Sequence, residues 1–281
     1  MVNKNVDMAK KIKNTLRLSD YLDEIISQGR HYFTVDELRQ AGLTIQEKSI
    51  SVSLSRLAKK GRIRMLRRGF GIVLGPESSE LHPSYFLDAM MKFIGREYYI
   101  GLLSAAAHWG ASHQASMAYQ VITDKVVSSI TFKRGRIEFV TKGTTFPEKC
   151  VDRVASVGGY YLISSPELTA IDLVRFPQVC GYFNNVATVL SDLAEKWDGR
   201  KMISLCHDPK IPNVTLQRLG YMLDKILGYE KEAEYIFSPL EKRKYTPAML
   251  SSIKDDKKIK RSKFKYDEKW KLYINTQVEP D

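Results

Sequence analysis

Apolar residues recur with a helical period near the start of the chain. Leu18, Tyr21, Leu22, Ile25 and Ile26 follow i, i+3, i+4, i+7, i+8, and Gly29 closes that stripe. The next segment, FTVDELRQAG, sets Thr34 and Glu37 at capping-box spacing, with Phe33 and Leu38 where a hydrophobic staple falls. Gly42 at C′ ends this short helix. Thr44 and Glu47 repeat the capping-box spacing and predict a third helix that runs to Gly61, with Ile50, Leu54, Leu57 and Ala58 on its buried side. Beyond it the period shortens to two. Ile63, Met65, Phe70, Ile72 and Leu74 alternate with other residues about a turn at Arg68-Gly69. Helix, capped helix, capped helix and hairpin predict a winged helix-turn-helix over residues 1–74.

The stretch GPESSELHP, residues 75–83, breaks both periods and is read as a linker. Helical segments are expected at about 84–95 and 98–109, followed by short strands in AYQVIT, SITFK, RIEFV and GYYLI. Ser165-Pro166-Glu167 reads as N-cap, N1 and first-turn acid of a helix that runs to Arg175. Phe183, Val186, Ala187, Leu190, Leu193, Ala194 and Trp197 form a long amphipathic stripe. Leu216, Leu219, Leu223, Ile226 and Leu227 form another after Asn213 as N-cap, and Thr246-Pro247 opens a further short helix. The expected fold is α+β: an N-terminal winged helix-turn-helix, then residues 84–281 as an α+β domain with a small antiparallel or mixed sheet and a helical C-terminal half.

Charge adds a direction. The 281 residues carry a net charge of +12, which points to an anionic partner, most commonly nucleic acid. Residues 1–83 hold +6 and residues 241–271 hold +7, whereas residues 84–240 are nearly neutral at +1. Lys10, Lys11, Lys13 and Arg17 make residues 1–17 a basic arm, either a DNA arm or a solvated extra helix. The basic stretch from Lys254 to Lys271 has three readings: a nucleic-acid contact, a protein contact or a solvated face. The three cysteines form no CxxC pair, MVNKNVDMAKK has no apolar core of a signal peptide, and the longest apolar run, Tyr98 to Gly110, is too short to span a bilayer. These features predict a soluble protein without a membrane partner.

The third helix carries the sharpest candidate surface. Opposite its buried side lie Lys48, Ser49, Val52, Ser55, Arg56 and Lys59, small, hydroxyl-bearing or basic, with no acid among them. Small residues let a helix enter the major groove, arginine reads guanine, and serine and lysine hold phosphate. In the wing, Arg64, Arg67 and Arg68 would reach phosphates or the minor groove. A winged helix used for protein contact, with a solvated basic face, is the alternative.

Catalytic signatures are missing. No GxxxxGK[ST] occurs, so a P-loop is excluded. Gly69-Phe70-Gly71 opens like a dinucleotide fingerprint, but Leu74 stands where its third glycine belongs. No Asp-x-Asp pair is present, and Val140 replaces the lysine that a nuclease strand would need after Glu138. His108 and His113 do not share a helical face, so His108 is read as a hydrogen-bonded core or interface residue. Ser104 lacks a nucleophile elbow. Asp172 and Arg175, at i, i+3, are read as a local ion pair. No catalytic residue, metal or cofactor is assigned.

Four segments carry a resemblance: SLSRLAKKGRIRMLRRGFG, YYIGLLSAAAHWG, SPELTAIDLVRFP and QRLGYMLDKI. In this order and spacing the chain resembles the AbiEi antitoxins of bacterial type IV toxin–antitoxin (abortive infection) systems, from about residue 18 to 250. The resemblance implies a cytoplasmic bacterial autorepressor, not an enzyme. Its winged helix would bind inverted repeats in its own promoter, and its C-terminal domain would counteract a nucleotidyltransferase toxin. One winged helix reads only a few base pairs, so two copies per operator are expected. The alternative is an antitoxin that acts mainly by binding toxin or RNA, with no specific DNA readout.

Overall fold

The structure, a computed structural model, describes residues 16–75, 81–111, 118–143, 148–251 and 261–280. The basic arm up to residue 15, linker residues 76–80, His113, and residues 254–260 of the basic stretch lie outside them. The chain divides into two compact units. The first takes residues 1–97 with 129–137 and 153–161, and the second takes 98–128, 138–152 and 162–281.

In the first unit, α1 (Leu18–Ser27) buries Leu18, Leu22 and Ile25. A short strand, β1 (Tyr32–Thr34), leads into α2 (Val35–Gln40). The capping box is present: Thr34 Oγ1 accepts from Glu37 N at 3.2 Å, and Glu37 Oε2 accepts from Thr34 N at 3.0 Å. Gly42 comes next with a φ of 63°, the left-handed conformation of a helix C′ residue. The start of α3 (Glu47–Lys59) corrects the expectation. Its N-cap is Gln46 and no side chain caps it, because Thr44 N and Oγ1 both donate to the Leu16 carbonyl, at 3.1 and 3.4 Å. Ile50 and Leu54 are buried as predicted, Leu57 is half-buried and Ala58 is exposed.

The hairpin β2 (Ile63–Arg67) and β3 (Phe70–Val73) joins β1 in an antiparallel sheet of order β1-β3-β2. Central β3 is buried along its whole length. The register shifts between Met65 and Arg67. This bulge breaks the predicted alternation, so Leu66 is buried and Met65 is exposed. Gly71 is required by close approach: a Cβ there would lie 2.5 Å from Phe33 Cζ and 2.9 Å from Met65 Sδ. Leu22, Ile25, Phe33, Leu38, Ile50, Leu54 and Ile63 make the core. The segment expected as a helix over 84–95 is a 3-10 turn, Pro83–Tyr85, then α4 (Leu87–Phe93).

The second unit opens with β4 (Tyr98–Ile100) and α5 (Leu102–His108), in place of the single helix expected over 98–109. Two tyrosines and an isoleucine suit a fully buried strand, and Gly101 separates it from the helix. β5 (Ala118–Thr123) follows in the same unit, whereas β6 (Ile130–Thr131) lies in the first unit and β7 (Arg136–Thr141), β8 (Val151–Ser156) and β9 (Gly159–Ser164) run across the division. β4 pairs antiparallel with β5 and parallel with β9, in a mixed sheet of order β6-β7-β5-β4-β9-β8.

From Pro166 to Glu241 the chain is mainly helical. α6 (Pro166–Arg175) has Ser165 as N-cap, its Oγ accepting from Leu168 N at 3.4 Å. α7 (Tyr182–Ala194) buries the predicted stripe from Phe183 to Ala194, and Trp197 lies half-buried beyond its end. α8 (Gly199–Cys206) and α9 (Asn213–Tyr221) come next, the latter running into a π-helical segment, Met222–Leu227. The N-cap of α9 is Pro212, not Asn213. The Asn213 side chain is held elsewhere, donating to Lys244 O at 3.2 Å and accepting from Arg243 Nη1 at 3.0 Å.

After α10 (Glu230–Glu241), Thr246-Pro247 opens no helix. The backbone N–H groups of Ala248 and Leu250 donate to the carbonyls of Lys271 and Tyr273 instead, at 3.0 and 2.9 Å. The result is a small mixed sheet of order β10-β12-β11, from β10 (Ala248–Met249), β11 (Lys265–Asp267) and β12 (Leu272–Ile274). The helical half thus ends in strands. The fold is mixed α+β with ten α-helices among the described residues, beginning with a winged helix.

Candidate nucleic-acid interface

α3 presents Lys48, Ser49, Val52, Ser55, Arg56 and Lys59 as one exposed face, opposite Ile50 and Leu54. Val52 is 51% exposed, an apolar spot among hydroxyls and cations. One flank of α3 and the β2–β3 turn bound a groove of about 1020 Å³. Glu47, Lys48, Ser51, Ser55 and Ala58 line it from the helix, and Met65, Arg67, Arg68 and Gly69 line it from the hairpin. At one end Arg39 answers the local acids, with Nε 3.2 Å from Glu47 Oε1 and Nη1 2.7 Å from Asp36 Oδ1.

The three wing arginines separate. Arg68 is exposed in the turn beside Gly69, whose φ is 87°. Arg67 is half-buried, and its Nη1 donates to Leu66 O at 2.9 Å, which fixes the direction of its fork. Burial holds its guanidinium below the ordinary arginine value. Arg64 leaves the groove: its Nη2 donates to Thr131 O and its guanidinium lies 4.7 Å from the Phe132 ring centroid. The structure therefore gathers Lys48, Ser55, Arg67 and Arg68 in one groove. It keeps Ser49, Val52, Arg56 and Lys59 on the adjoining helix face and directs Arg64 elsewhere.

Ser51, Ala58 and Met65 line the same groove, and the sequence pattern does not single them out. Helical period alone does not tell which flank of α3 meets the wing. Strict alternation sends Met65 inward until the bulge is known.

Asp172, Lys142 and Tyr99 of the second unit form a buried cluster. Asp172 is fully buried, its Oδ1 2.7 Å from Lys142 Nζ and its Oδ2 accepting from Tyr99 OH at 2.5 Å. Lys142 Nζ also donates to Tyr99 OH at 2.9 Å. Burial, then the neighbouring Asp172 charge, push the Tyr99 phenol well above its ordinary value. This corrects the expected Asp172–Arg175 pair: Arg175 Nη2 donates to Lys142 O at 3.3 Å instead. His108 is exposed and sets its ring edge-on to Trp109 at 4.9 Å, so it is not a core residue. Ser104 Oγ accepts from Gln120 N at 2.8 Å and ties α5 to β5.

Among the described residues, no group of three or more His, Cys, Asp or Glu side chains could hold a metal ion, and no helix is long and apolar enough to cross a membrane.

A family model described as "AbiEi antitoxin C-terminal domain" matches residues 99–225. One described as "Transcriptional regulator, AbiEi antitoxin" matches residues 20–70. No curated protein matches the chain. The fold is similar to that in the "Crystal structure of RV2827C protein from Mycobacterium tuberculosis", with a TM-score of 0.64 over 90% of this chain and 89% of that one, at 14% identity. The regulator match falls on the winged helix and the antitoxin match on the mixed sheet and its helices: the chain belongs to the AbiEi antitoxin family.

Proposed function

We propose that this antitoxin is a cytoplasmic autorepressor that binds inverted repeats in its own promoter, with two copies on each operator, and that it counteracts a nucleotidyltransferase toxin. The observation that carries the DNA reading is the acid-free exposed face of α3 beside a groove whose far wall holds Arg67 and Arg68. A helix of this kind enters the major groove while the wing tracks the backbone or the adjacent minor groove. In this reading Arg56 and Val52 meet base edges, Lys48, Ser49, Ser55 and Lys59 hold phosphates, and Arg67 and Arg68 form the wing contact. Arg64 acts as a strut between β2 and Thr131. The winged helix would be one body, residues 1–74, joined through 75–83 to the antitoxin domain of 84–281.

The test compares Arg56→Ala, Arg68→Ala and Arg64→Ala on the upstream DNA. Loss of a base-reading arginine should cost about 1–3 kcal/mol and relax specificity at one position. Loss of a phosphate contact should weaken all sequences alike and lower the salt slope. Arg64→Ala should leave DNA affinity unchanged. Equal affinities for the original protein, Arg56→Ala and Arg68→Ala would refute the assignment.

A further inference from the structure

We infer that the terminal sheet β10-β12-β11 is a binding platform for single-stranded nucleic acid, separate from the winged helix. In β11 and β12, Tyr266 and Tyr273 stand directly opposite one another, which puts both rings on one face. Their centroids are 4.9 Å apart with planes at 44°; Tyr266 is 37% exposed and Tyr273 is half-buried. On the other face, one residue along, Leu272 is fully buried, so the tyrosine face points away from the core.

Cations lie against two aromatic rings at this end of the chain. The Arg261 guanidinium lies 5.8 Å from the Tyr273 centroid, and Lys271 Nζ lies 4.2 Å from the centroid of Tyr245, just before β10. Arg261, Lys263 and Lys265 are exposed. Residues 261–271 hold five lysines and arginines against two acids, the sign that a phosphate backbone requires. The nearby acids are partly committed inward: Asp224 faces Lys269 Nζ at 3.2 Å, and Asp267 Oδ1 accepts from Trp270 N at 2.8 Å.

Unstacked bases lie on exposed aromatic rings while cations track the strand, which is how sequence-tolerant single-strand sites work. A duplex offers only groove edges and phosphates, so paired tyrosines would find no base face to cover. The occupant that fits is therefore a single strand, RNA or DNA.

The experiment measures anisotropy of labelled 12-mer RNA, DNA of the same sequence and the matching duplex, with the full chain at about 150 mM salt. Tyr266→Ala and Tyr273→Ala should each weaken the single strand about tenfold and leave the duplex unchanged, while Tyr266→Phe retains binding. Arg68→Ala should do the reverse. RNA bound more tightly than DNA would assign RNA as the natural strand through its 2′-hydroxyls, and equal binding would assign stacking and backbone charge alone. Unchanged circular dichroism of Tyr266→Ala separates lost contact from lost fold. The proposal is overturned if no single strand binds, or if its binding is lost in Arg68→Ala and kept in Tyr266→Ala.

Discussion

The indole of Trp270 lies so close to Gly220 of α9 that a Cβ there would sit 2.0 Å from Cζ3 and 2.1 Å from Cη2. Trp270 is fully buried, its Nε1 donates to Asp224 Oδ2 at 2.9 Å, and its carbonyl accepts from Gln217 Nε2 at 2.9 Å. Arg218 adds two hydrogen bonds to Met249 O, at 3.1 and 3.0 Å. Gln217, Arg218, Gly220 and Asp224 all belong to the QRLGYMLDKI segment. That segment is the latch that seats the terminal sheet on the antitoxin domain.

Gly220→Ala tests the latch. In a helix with open space this change stabilises by about 0.5–1 kcal/mol. Here the new methyl must displace a buried indole, and a loss of about 1–3 kcal/mol is expected. Urea unfolding of both proteins measures it, and a midpoint that rises would show that the contact is looser than described.

Asp224 gives the latch a pH dependence. Burial pushes its carboxyl up, but hydrogen bonds from Trp270, Lys269 and Lys225 outweigh that and hold it below the ordinary value of 3.8. A folded pKa below the unfolded one stabilises above the unfolded value and loses that contribution as pH falls through the folded one. Asp224→Asn should therefore cost more stability at about pH 7 than at about pH 3. A cost independent of pH in denaturant titrations would contradict the geometry.

The Lys142–Asp172 pair makes a third case. Lys142→Met leaves the Asp172 carboxylate buried without its cation, still accepting from Tyr99 OH, and should cost about 3–5 kcal/mol. Adding Asp172→Leu removes the orphaned charge and should recover much of that loss. A double variant no more stable than Lys142→Met, by thermal or chemical unfolding, would show that the pair is not electrostatically coupled.

The three thiols should be inert in the folded protein. Cys150, Cys180 and Cys206 are buried, and burial pushes all three thiols up, Cys206 to about 12. Thiolate is the reactive form. A disulfide reagent should label none of them at neutral pH until denaturant is added, and rapid labelling of any one would show that its surroundings open.

Elements specified by local chemistry are legible in the sequence. The Thr34–Glu37 box, the Ser165 cap of α6 and the stripe of α7 all depend on residues within a few positions of one another. Six strands are not legible in the sequence: β1, β4, β8, β10, β11 and β12. β1, β4 and β10 are paired by segments distant in the chain, and all but β8 are only two or three residues long. Asp172 misleads for a different reason. A charged side chain on an amphipathic helix is ordinarily exposed, and only the approach of Lys142 and Tyr99 from other elements makes its burial tolerable. The exposed face of α3 can be read as a wheel, whereas the groove beside it depends on the hairpin's bulge and on which flank of α3 the wing meets.

If the face of α3 and the wing read specific DNA, the protein must distinguish its own upstream sequence from any other duplex. The most direct measurement is binding of the full chain to its own upstream DNA and to a scrambled duplex, across a salt series. Specific readout gives a preference for the upstream DNA at about 150 mM salt, with a cooperative isotherm from two copies on an inverted repeat. Equal, steeply salt-sensitive binding to both duplexes would contradict it and reduce the positive charge to a general attraction for polyanions.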